Sequence, residues 1–469
     1  TLGTLAAVRY LEAQPYVRRS LIGLVGHSLG AGAIRATAVA HGNITASVYI
    51  AGGLGSMVAG SEYGVLNSTF PKNLLIAVGK YDVLFEIDQL KREIEPIFES
   101  PQEIAPYLLY GNFSTQTARK LITPPTTHLF EPMDPSIVSE IVLWMDNALK
   151  TAASRPKLFP GTEMIYVYRE TATSVSLVAL VGFVFSIASV IFDLYPSLVQ
   201  KGKTKTKYGT LEDWKTLIIW GALGLVLLLP MFLVGSIVPI PPLIFGSSFA
   251  WWLLAVATVA LLLILVALPK FSTVRLNLRS AVSESFNHMS VAIAVGIFVL
   301  LYSITYLVEN VSLIDLRIFV IPVFNSLVPL ARIPMFFMFV PFFGVYFFAE
   351  GLYFHEFHNW SAQKSGLRSD TIAVMKAIGV KIFPYAALLG VNYVPMVWLN
   401  TRPLPTFMGF LMEFLWGVVP LFIISMACSW WFYRRTSNIG TGAILNALLF
   451  AWSAAATFPL GVFSFSMRF

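Results

Sequence analysis

A serine between two glycines, in Gly26-His27-Ser28-Leu29-Gly30, follows directly on the apolar run Leu21-Ile22-Gly23-Leu24-Val25. A strand that ends at such a serine and turns at once into a helix holds the hydroxyl exposed in a strained turn. Glycines on either side keep side chains out of crowded backbone. The residues behind it, Ala31 to His41 (AGAIRATAVAH), are alanine-rich and free of proline, as that helix must be. In this arrangement the N–H of Leu29 points to where an oxyanion develops. The chemistry on offer is attack by Ser28 on a carbonyl carbon. Gly-x-Ser-x-Gly also arises by chance in glycine-containing chains, so its weight rests on its partners.

An activated serine needs a base within hydrogen-bond reach and an acid that fixes the tautomer of that base. After the apolar run Asn73 to Val78 comes Gly79-Lys80-Tyr81-Asp82, a carboxylate at the carboxyl end of a predicted strand, where open α/β sheets place their sites. Asp82 is the expected acid. Glu86 and Asp88 compete, but they fall in the helical stretch Phe85 to Phe98 and suit its solvated first turns. Of six histidines, His288, His355 and His358 are excluded by position, His27 sits inside the turn and His41 ends the following helix. His128, in the loop Pro124-Pro125-Thr126-Thr127-His128 between the last strand and a closing helix, has the order and flanking elements of the base.

These residues need a sheet to hold them, and the first 150 residues read as one. Leu21 to Val25, Ala46 to Ile50, Leu74 to Val78 and Lys120 to Thr123 are expected as strands, with helices between, in an α/β domain with a mostly parallel sheet. Asp134-Pro135 and the spacing of Ile137, Val138, Ile141, Val142 and Trp144 predict a capped amphipathic helix closing this domain. Residues 151–171, with a Pro-containing stretch from Ser154 to Gly161, are expected as a linker. Residues 172–469 form the third part, a helical transmembrane domain.

Composition supports that division. The chain of 469 residues is 56% hydrophobic and 12% charged, with a mean hydropathy of +0.72, which excludes an ordinary soluble protein. The first 150 residues hold 11 Lys/Arg against 13 Asp/Glu, and the rest 21 against 12. The basic residues of the second part lie mostly in short loops between apolar windows. Membrane topology therefore explains them better than nucleic-acid binding. Eight windows approach the 20 residues that cross a bilayer: about 172–195, 217–237, 247–268, 288–308, 333–351, 376–399, 406–428 and 440–462. Residues 318–331 are short and proline-broken and read as re-entrant or interfacial.

Assigning alternate loops to the cytoplasm collects 12 basic residues, among them Lys201, Lys203, Lys270, Arg275, Lys364 and Arg434. The other face holds 6, including Arg169, Arg317 and Arg402. Cytoplasmic loops retain positive charge, so residues 1–150 are expected outside the cytoplasm of a multi-pass membrane protein. Four of five Asn-x-Ser/Thr sequons (Asn43, Asn67, Asn112, Asn310) fall on that outer side, and Asn359 does not. The chain opens on Thr1 inside a predicted helix, Thr4 to Glu12. It is expected to be part of a longer protein whose upstream region supplies an export signal or anchor.

GHSLG after a strand, GKYD after a later strand and TTHLF before a final helix together resemble the α/β-hydrolase superfamily, over about residues 1–150. Within it they look most like dienelactone-hydrolase-like and cutinase or lipase-like serine esterases. The resemblance implies Ser28 as nucleophile, Asp82 as acid, His128 as base and the Leu29 backbone as one oxyanion donor. It also implies a second oxyanion donor upstream of Thr1. The expected substrates are acyl esters or lipid-like molecules. Leu29, Met57, Val58, Val65, Leu66 and Phe130 are the apolar side chains an acyl pocket would draw on, although core packing is the commoner role.

No P-loop, dinucleotide fingerprint or metal-ligand spacing is present, so no cofactor and no metal are expected. His355-Glu356-Phe357-His358 lacks the His-Glu-x-x-His spacing that places two histidines on one helical face. Cys428 stands alone, which excludes an intrachain disulfide. Polar residues inside apolar spans are costly, which singles out Glu413, Lys381, Asn392 and Asn325, with Glu413 foremost. The bland alternative for Lys381, as for Lys376, is that it lies near the cytoplasmic end of its span and can snorkel. The reading that competes with a membrane-tethered esterase is a transporter or flippase-like bundle carrying a non-catalytic hydrolase-like sensor. Oligomeric state is not legible in the chain.

Overall fold

The computed structural model describes residues 2–54, 65–99, 103–149, 163–198, 214–243, 245–267, 276–313, 327–357, 367–404 and 406–458. It divides into two compact units. The first holds Thr1–Tyr168 together with Val391–Glu413, and the second Arg169–Gly390 together with Phe414–Phe465.

In the first unit the order is α1 (Leu2–Glu12), β1 (Gly23–His27), α2 (Leu29–His41), β2 (Ala46–Ile50), β3 (Leu74–Ala77), α3 (Ile87–Phe98), β4 (Leu109–Tyr110), β5 (Arg119–Ile122) and α4 (Pro135–Leu149). The strands form one sheet in the order β1-β2-β3-β5-β4. The first four run parallel and β4 pairs antiparallel with β5. Apolar runs without alternation become strands covered on both faces, and β2 and β3 are buried at every position.

The period-two alternation of a strand sends their side chains to two separate cores. Tyr49, Leu74, Ile76 and Leu121 pack with Ala31 and Ile34 of α2 and with Leu90, Ile94 and Ile97 of α3. Val48, Ile50, Leu75, Ala77 and Ile122 pack with Ile137 and Trp144 of α4. The Trp144 indole N–H donates to the Asn73 carbonyl at 2.9 Å, so even the largest side chain of that layer has its polar atom satisfied. Asp134 caps α4 as its sequence predicts, its Oδ1 accepting the N–H groups of Ser136 and Ile137.

Two details differ from the sequence expectation. The first strand begins and ends two residues later than the run Leu21 to Val25, so that it delivers Ser28 at its very end. The two-residue β4 carries too little pattern to be seen in the chain and is held by its pairing with β5.

The second unit is helical. Its described helices are α5 (Ile165–Leu194), α6 (Trp214–Ile237), α7 (Gly246–Leu262), α8 (Leu278–Ser285), α9 (His288–Val311), α10 (Ile333–Gly351), α11 (Leu367–Leu399), α12 (Thr406–Thr436) and α13 (Gly440–Thr457). Parts of α5, α11 and α12 belong to the first unit. Eight helices are long and apolar enough to cross a membrane, which fits a multi-pass membrane protein. The span within α12 runs from Leu415 to Thr436, starting nine residues later than the sequence window, because the first turns of that helix belong to the first unit. Most of the segment 318–331, and Asn325 with it, lies outside the described residues.

Lys381 does not snorkel. It is 1% exposed, with its Nζ 2.5 Å from Glu350 Oε1, 2.9 Å from Ser425 Oγ and 4.5 Å from the centre of the Phe422 ring. An opposite charge buried on α10 is a better partner than a distant headgroup region. Glu350 stands within an otherwise apolar helix, and α10 supplies nothing else of positive charge near it. His355 is buried in a π-helical turn (Leu352–Phe357) after α10 and stacks on Tyr433, and His358 lies outside the described residues.

Candidate active site

The end of β1 and the start of α2 meet at Ser28, whose φ of 53° and ψ of −120° put a non-glycine residue in sterically costly backbone. The turn is held by Ser28 N–H donating to Ile50 O at 2.8 Å and by Ala31 N–H donating to Ser28 O at 3.0 Å. A Cβ on Gly26 would lie 2.5 Å from the Gly30 carbonyl oxygen, and one on Gly52 would collide with the Ser28 backbone. The two glycines of the motif therefore differ from expectation. Gly26 is sterically required, whereas a Cβ on Gly30 meets nothing within 4 Å, and the second crowded position is Gly52, distant in sequence. Leu29 is the first residue of α2, so its N–H has no acceptor within the helix and is free to face a ligand.

Asp82 and His128 leave the carboxyl ends of neighbouring parallel strands, β3 and β5, which is why two residues 46 positions apart meet. The loops lock together through Lys80 N–H to Pro124 O (2.7 Å) and Tyr81 N–H to Thr126 O (3.0 Å). His128 Nδ1 lies 2.8 Å from Asp82 Oδ2, and His128 Nε2 lies 3.1 Å from Ser28 Oγ. A carboxylate only accepts, so Nδ1 carries the proton and the Nε2 lone pair faces the hydroxyl. Asp82 is fully buried, and its other oxygen accepts the N–H groups of Leu84 (2.6 Å) and Phe85 (3.3 Å).

Burial alone would raise the Asp82 carboxyl and lower the His128 imidazole. The attraction and hydrogen bond between them reverse both, so that Asp82 is held below the ordinary carboxylate range and His128 above the ordinary histidine value. Glu86 N-caps α3 and Asp88 sits in its first turn, as solvated helix-start residues do. His41 pairs with Glu12 at 2.9 Å, away from Ser28.

Two residues that the sequence gave no reason to single out complete the site. His27 Nε2 is 3.0 Å from the His128 carbonyl oxygen, and the two imidazole rings lie 4.7 Å apart. Burial, and then the charge of His128, push His27 down to about 4, so it is neutral at ordinary pH. Glu131, wholly buried, accepts the Gly79 N–H on Oε1 at 2.5 Å, and its Oε2 is 3.3 Å from His27 Nε2 and 3.9 Å from His128 Nδ1. The only signal in the chain was its place three residues after His128, which becomes meaningful once Phe130 and Glu131 turn back on Thr127 through their N–H groups.

The segment Val391–Glu413 also packs onto this unit. Arg402 donates to the carbonyls of Asp82 (2.7 Å) and Phe85, bracing the acid loop from outside. Glu413 accepts the Leu129 N–H at 3.2 Å and the Tyr393 hydroxyl at 2.8 Å, one residue beyond His128. It precedes the span that starts at Leu415, and burial raises its carboxyl to about 7. Glu413 was foremost among the suspect polar residues of the chain, although its partner in the base loop was not foreseeable.

His27, His128 and Glu131 offer one ligand atom each within 4.8 Å of one another, enough for a three-ligand cation site. A neutral imidazole bound to a metal through one nitrogen keeps its proton on the other, so a cation there would take His128 out of base chemistry. Of the apolar residues named for an acyl pocket, Leu29 is 76% and Val65 81% exposed, Leu66 packs against the α2–α3 core, and Met57 and Val58 lie outside the described residues. Cavities of about 440 and 480 Å³ open near Lys80 and Arg402 and near Val39 and Phe70, without Ser28 in their lining.

In comparisons with curated proteins and with solved structures, nothing matches the chain. Among protein families, the one described as BAAT / Acyl-CoA thioester hydrolase C terminal matches residues 5–92. That stretch runs from α1 into α3, taking in Ser28 and Asp82 and ending before His128. The match supports a hydrolase-like domain in the first part of this chain.

Proposed function

We propose that this protein is a membrane-bound serine hydrolase with an α/β-hydrolase domain, acting on acyl or lipid-like esters at the extracytoplasmic face. The observation that carries the reading is the unbroken hydrogen-bonded chain from Ser28 Oγ through His128 to Asp82, starting at a serine of positive φ. Ser28 Oγ attacks the carbonyl carbon while His128 Nε2 takes its proton, and the tetrahedral oxyanion receives the Leu29 N–H. Collapse breaks the bond to the leaving oxygen or sulfur, which departs with the proton from His128. Water, deprotonated by the same nitrogen, then frees the acid and restores Ser28.

The match to an acyl-CoA thioester hydrolase family favours a second leaving group, a thiol, through the same steps. Transfer between oxygen and sulfur esters changes the leaving atom and leaves the roles of these side chains as they are.

What supports the topology is the position of Arg402. Its bonds to Asp82 and Phe85 fit residues 400–404 lying on the same side of the bilayer as the hydrolase domain. An even number of crossings before residue 400 agrees with this, and six candidate spans precede it among the described residues. Asn43, Asn67, Asn112 and Asn310 are all exposed, as acceptors on the outer side would be. A fluorophosphonate probe on the full-length protein in membranes tests the activity. An adduct on Ser28 that is lost in Ser28→Ala supports it, and its absence from folded protein overturns it. Protease access to residues 1–150 in sealed vesicles of known orientation tests the sidedness.

A further inference from the structure

Two imidazoles and a carboxyl come together at the Nδ1 edge of His128, across the ring from the nitrogen that meets Ser28. Glu131 Oε2 lies 3.3 Å from His27 Nε2 and 3.9 Å from His128 Nδ1, and the ligand atoms of the three all lie within 4.8 Å of one another. A cation held tetrahedrally at about 2.0–2.1 Å needs its ligand atoms about 3.3 Å apart. One pair already stands at that spacing, and the other closes onto it by about 0.5 Å. Nitrogen from two imidazoles and oxygen from one carboxylate is the donor set of zinc, whereas magnesium and calcium take oxygen alone.

The carboxyl is what points to a ligand. Glu131 is wholly buried, its Oε1 accepts the Gly79 N–H, and its Oε2 is buried without a hydrogen-bond partner. No lysine or arginine pairs with it among the described residues, and histidines are the basic groups beside Oε2. Polar groups withdrawn from water are costly unless paired or bound to a metal, so a free carboxyl oxygen aimed at two imidazole nitrogens is half of a coordination sphere. His41 and Glu12 make the contrast. They stand 2.9 Å apart as a closed pair, and no third ligand joins them among the described residues.

We propose that His27 Nε2, His128 Nδ1 and Glu131 Oε2 form a binding site for zinc or a zinc-like divalent cation, and that its occupation switches the Ser28–His128 couple off. Without the cation, the Nδ1 proton of His128 goes to Asp82, and His27 Nε2 donates to the His128 carbonyl. Binding claims both nitrogens. The His128 proton moves from Nδ1 to Nε2, and that of His27 from Nε2 to Nδ1. His128 Nε2–H then donates to Ser28 Oγ and has no lone pair with which to take the hydroxyl proton. Two hydrogen bonds are given up, so the cation binds reversibly and more weakly than in a site built for zinc alone. The inhibitory role rests on the serine-hydrolase reading, whereas the cation site rests on the donor atoms.

Zinc ion is the probe, on full-length protein in detergent that has first been treated with a chelator. Fluorophosphonate labelling of Ser28 is expected to be lost as zinc is added and to return on chelation, with magnesium at the same concentration without effect. In His27→Ala and Glu131→Ala, each measured against its own zinc-free rate, the half-inhibitory zinc concentration is expected to rise by about tenfold or more, because loss of even an outer partner of a ligand costs that much. His41→Ala is expected to leave it where it is. Labelling that zinc does not touch, equal inhibition by magnesium, or a half-inhibitory concentration unchanged in both site variants overturns the proposal.

A second readout needs no activity. Equilibrium dialysis against zinc is expected to give one bound zinc fewer per chain in His27→Ala and Glu131→Ala than in wild type, with circular dichroism showing that the variants are folded. Equal zinc content in all three overturns the site. A third readout needs no variant, because a cation that binds the folded chain raises its thermal midpoint. The wild-type midpoint is expected to rise with zinc and not with magnesium, and a midpoint that zinc does not raise overturns the site as well. Wild-type protein that takes up this zinc but gives no Ser28 adduct after chelation would sink the hydrolase reading and leave the cation site standing. A Ser28 adduct indifferent to zinc would do the reverse.

Discussion

The Asp82–His128 pair of the first unit and the Glu350–Lys381 pair of the second are both buried, and both join an acid to a base at short range. They are built for opposite ends. His128 keeps one nitrogen for Ser28 and has two carboxyl neighbours that interact with its charge, Asp82 and Glu413. Lys381 is boxed by the rings of Phe422, Tyr346 and Phe347 and by Ser425, whose hydroxyl accepts from Nζ and donates to the Phe422 carbonyl. One pair is arranged so that a proton can move to and from a third group. The other is arranged so that charge stays where it is and ties α10 to α11. Burial by itself therefore does not mark a candidate reactive centre, and what separates the two pairs is the imidazole nitrogen that faces a serine hydroxyl.

The largest expected effect breaks the first centre without unfolding it. Ser28→Ala or His128→Ala should lower ester turnover by about 10⁶-fold, as for one member of a nucleophile–base couple that acts as a unit. Kinetics on purified full-length protein check this, with circular dichroism showing that the fold is kept.

Next in size is the second centre, where the cost should appear in stability and not in turnover. Lys381→Met strands Glu350 in the bundle and is expected to destabilise by about 3–5 kcal/mol. The double change with Glu350→Gln should recover most of that loss. Thermal or denaturant unfolding in detergent reads both, and a single variant as stable as wild type would erase the contrast between the two pairs.

Smaller effects sharpen the geometry of the serine turn. Gly26→Ala drives a methyl group into the Gly30 carbonyl and should cost about 1–3 kcal/mol along with Ser28 labelling. Gly30→Ala meets open space at the start of α2 and should be neutral, or stabilising by up to about 1 kcal/mol. Equal damage from the two would contradict the placement of the turn.

The smallest effect concerns pH. In the proposed mechanism activity needs a neutral His128, so it should rise with pH through the pKa of that imidazole, which Asp82 holds above the ordinary 6.5. Glu413 adds to that upward push when ionised, and it ionises at about 7. Glu413→Gln should move the acidic limb of the pH–rate profile to lower pH by less than about one unit, in the range of a single partly screened charge. A shift to higher pH would show that Glu413 acts through the Leu129 backbone and not through its charge.

Much of the candidate site was legible in order along the chain. A serine between glycines after an apolar run, an acid after a later one and a histidine before a capped helix are local patterns, and each depends on backbone that nearby residues dictate. Glu131 and His27 were passed over because nothing local distinguishes them from loop residues, and their roles arise only when the β3 and β5 loops close against each other. The partner of Lys381 was missed for the same reason. Its partner lies 31 residues away on another helix, and a partner of that kind leaves no mark on the spacing around either residue. Gly30 was credited with crowding that belongs to Gly52, a residue brought under Ser28 by the pairing of β1 with β2.

By itself, then, the sequence determined the periodic and compositional features. These are the parallel strands covered on both faces, eight apolar helices of membrane length, the break in charge near residue 150 and the identity of Ser28, Asp82 and His128 as candidates. Hydrophobic period and turn chemistry act over a few residues and are written where they act. Only the tertiary structure decided that Glu131 comes to Gly79, His27 and His128, that Arg402 and Glu413 meet the loops of Asp82 and His128, and that Lys381 is paired with Glu350. A charge in a low-dielectric interior is governed by whichever groups come within a few ångströms of it, and that is set by the packing of elements distant in the chain.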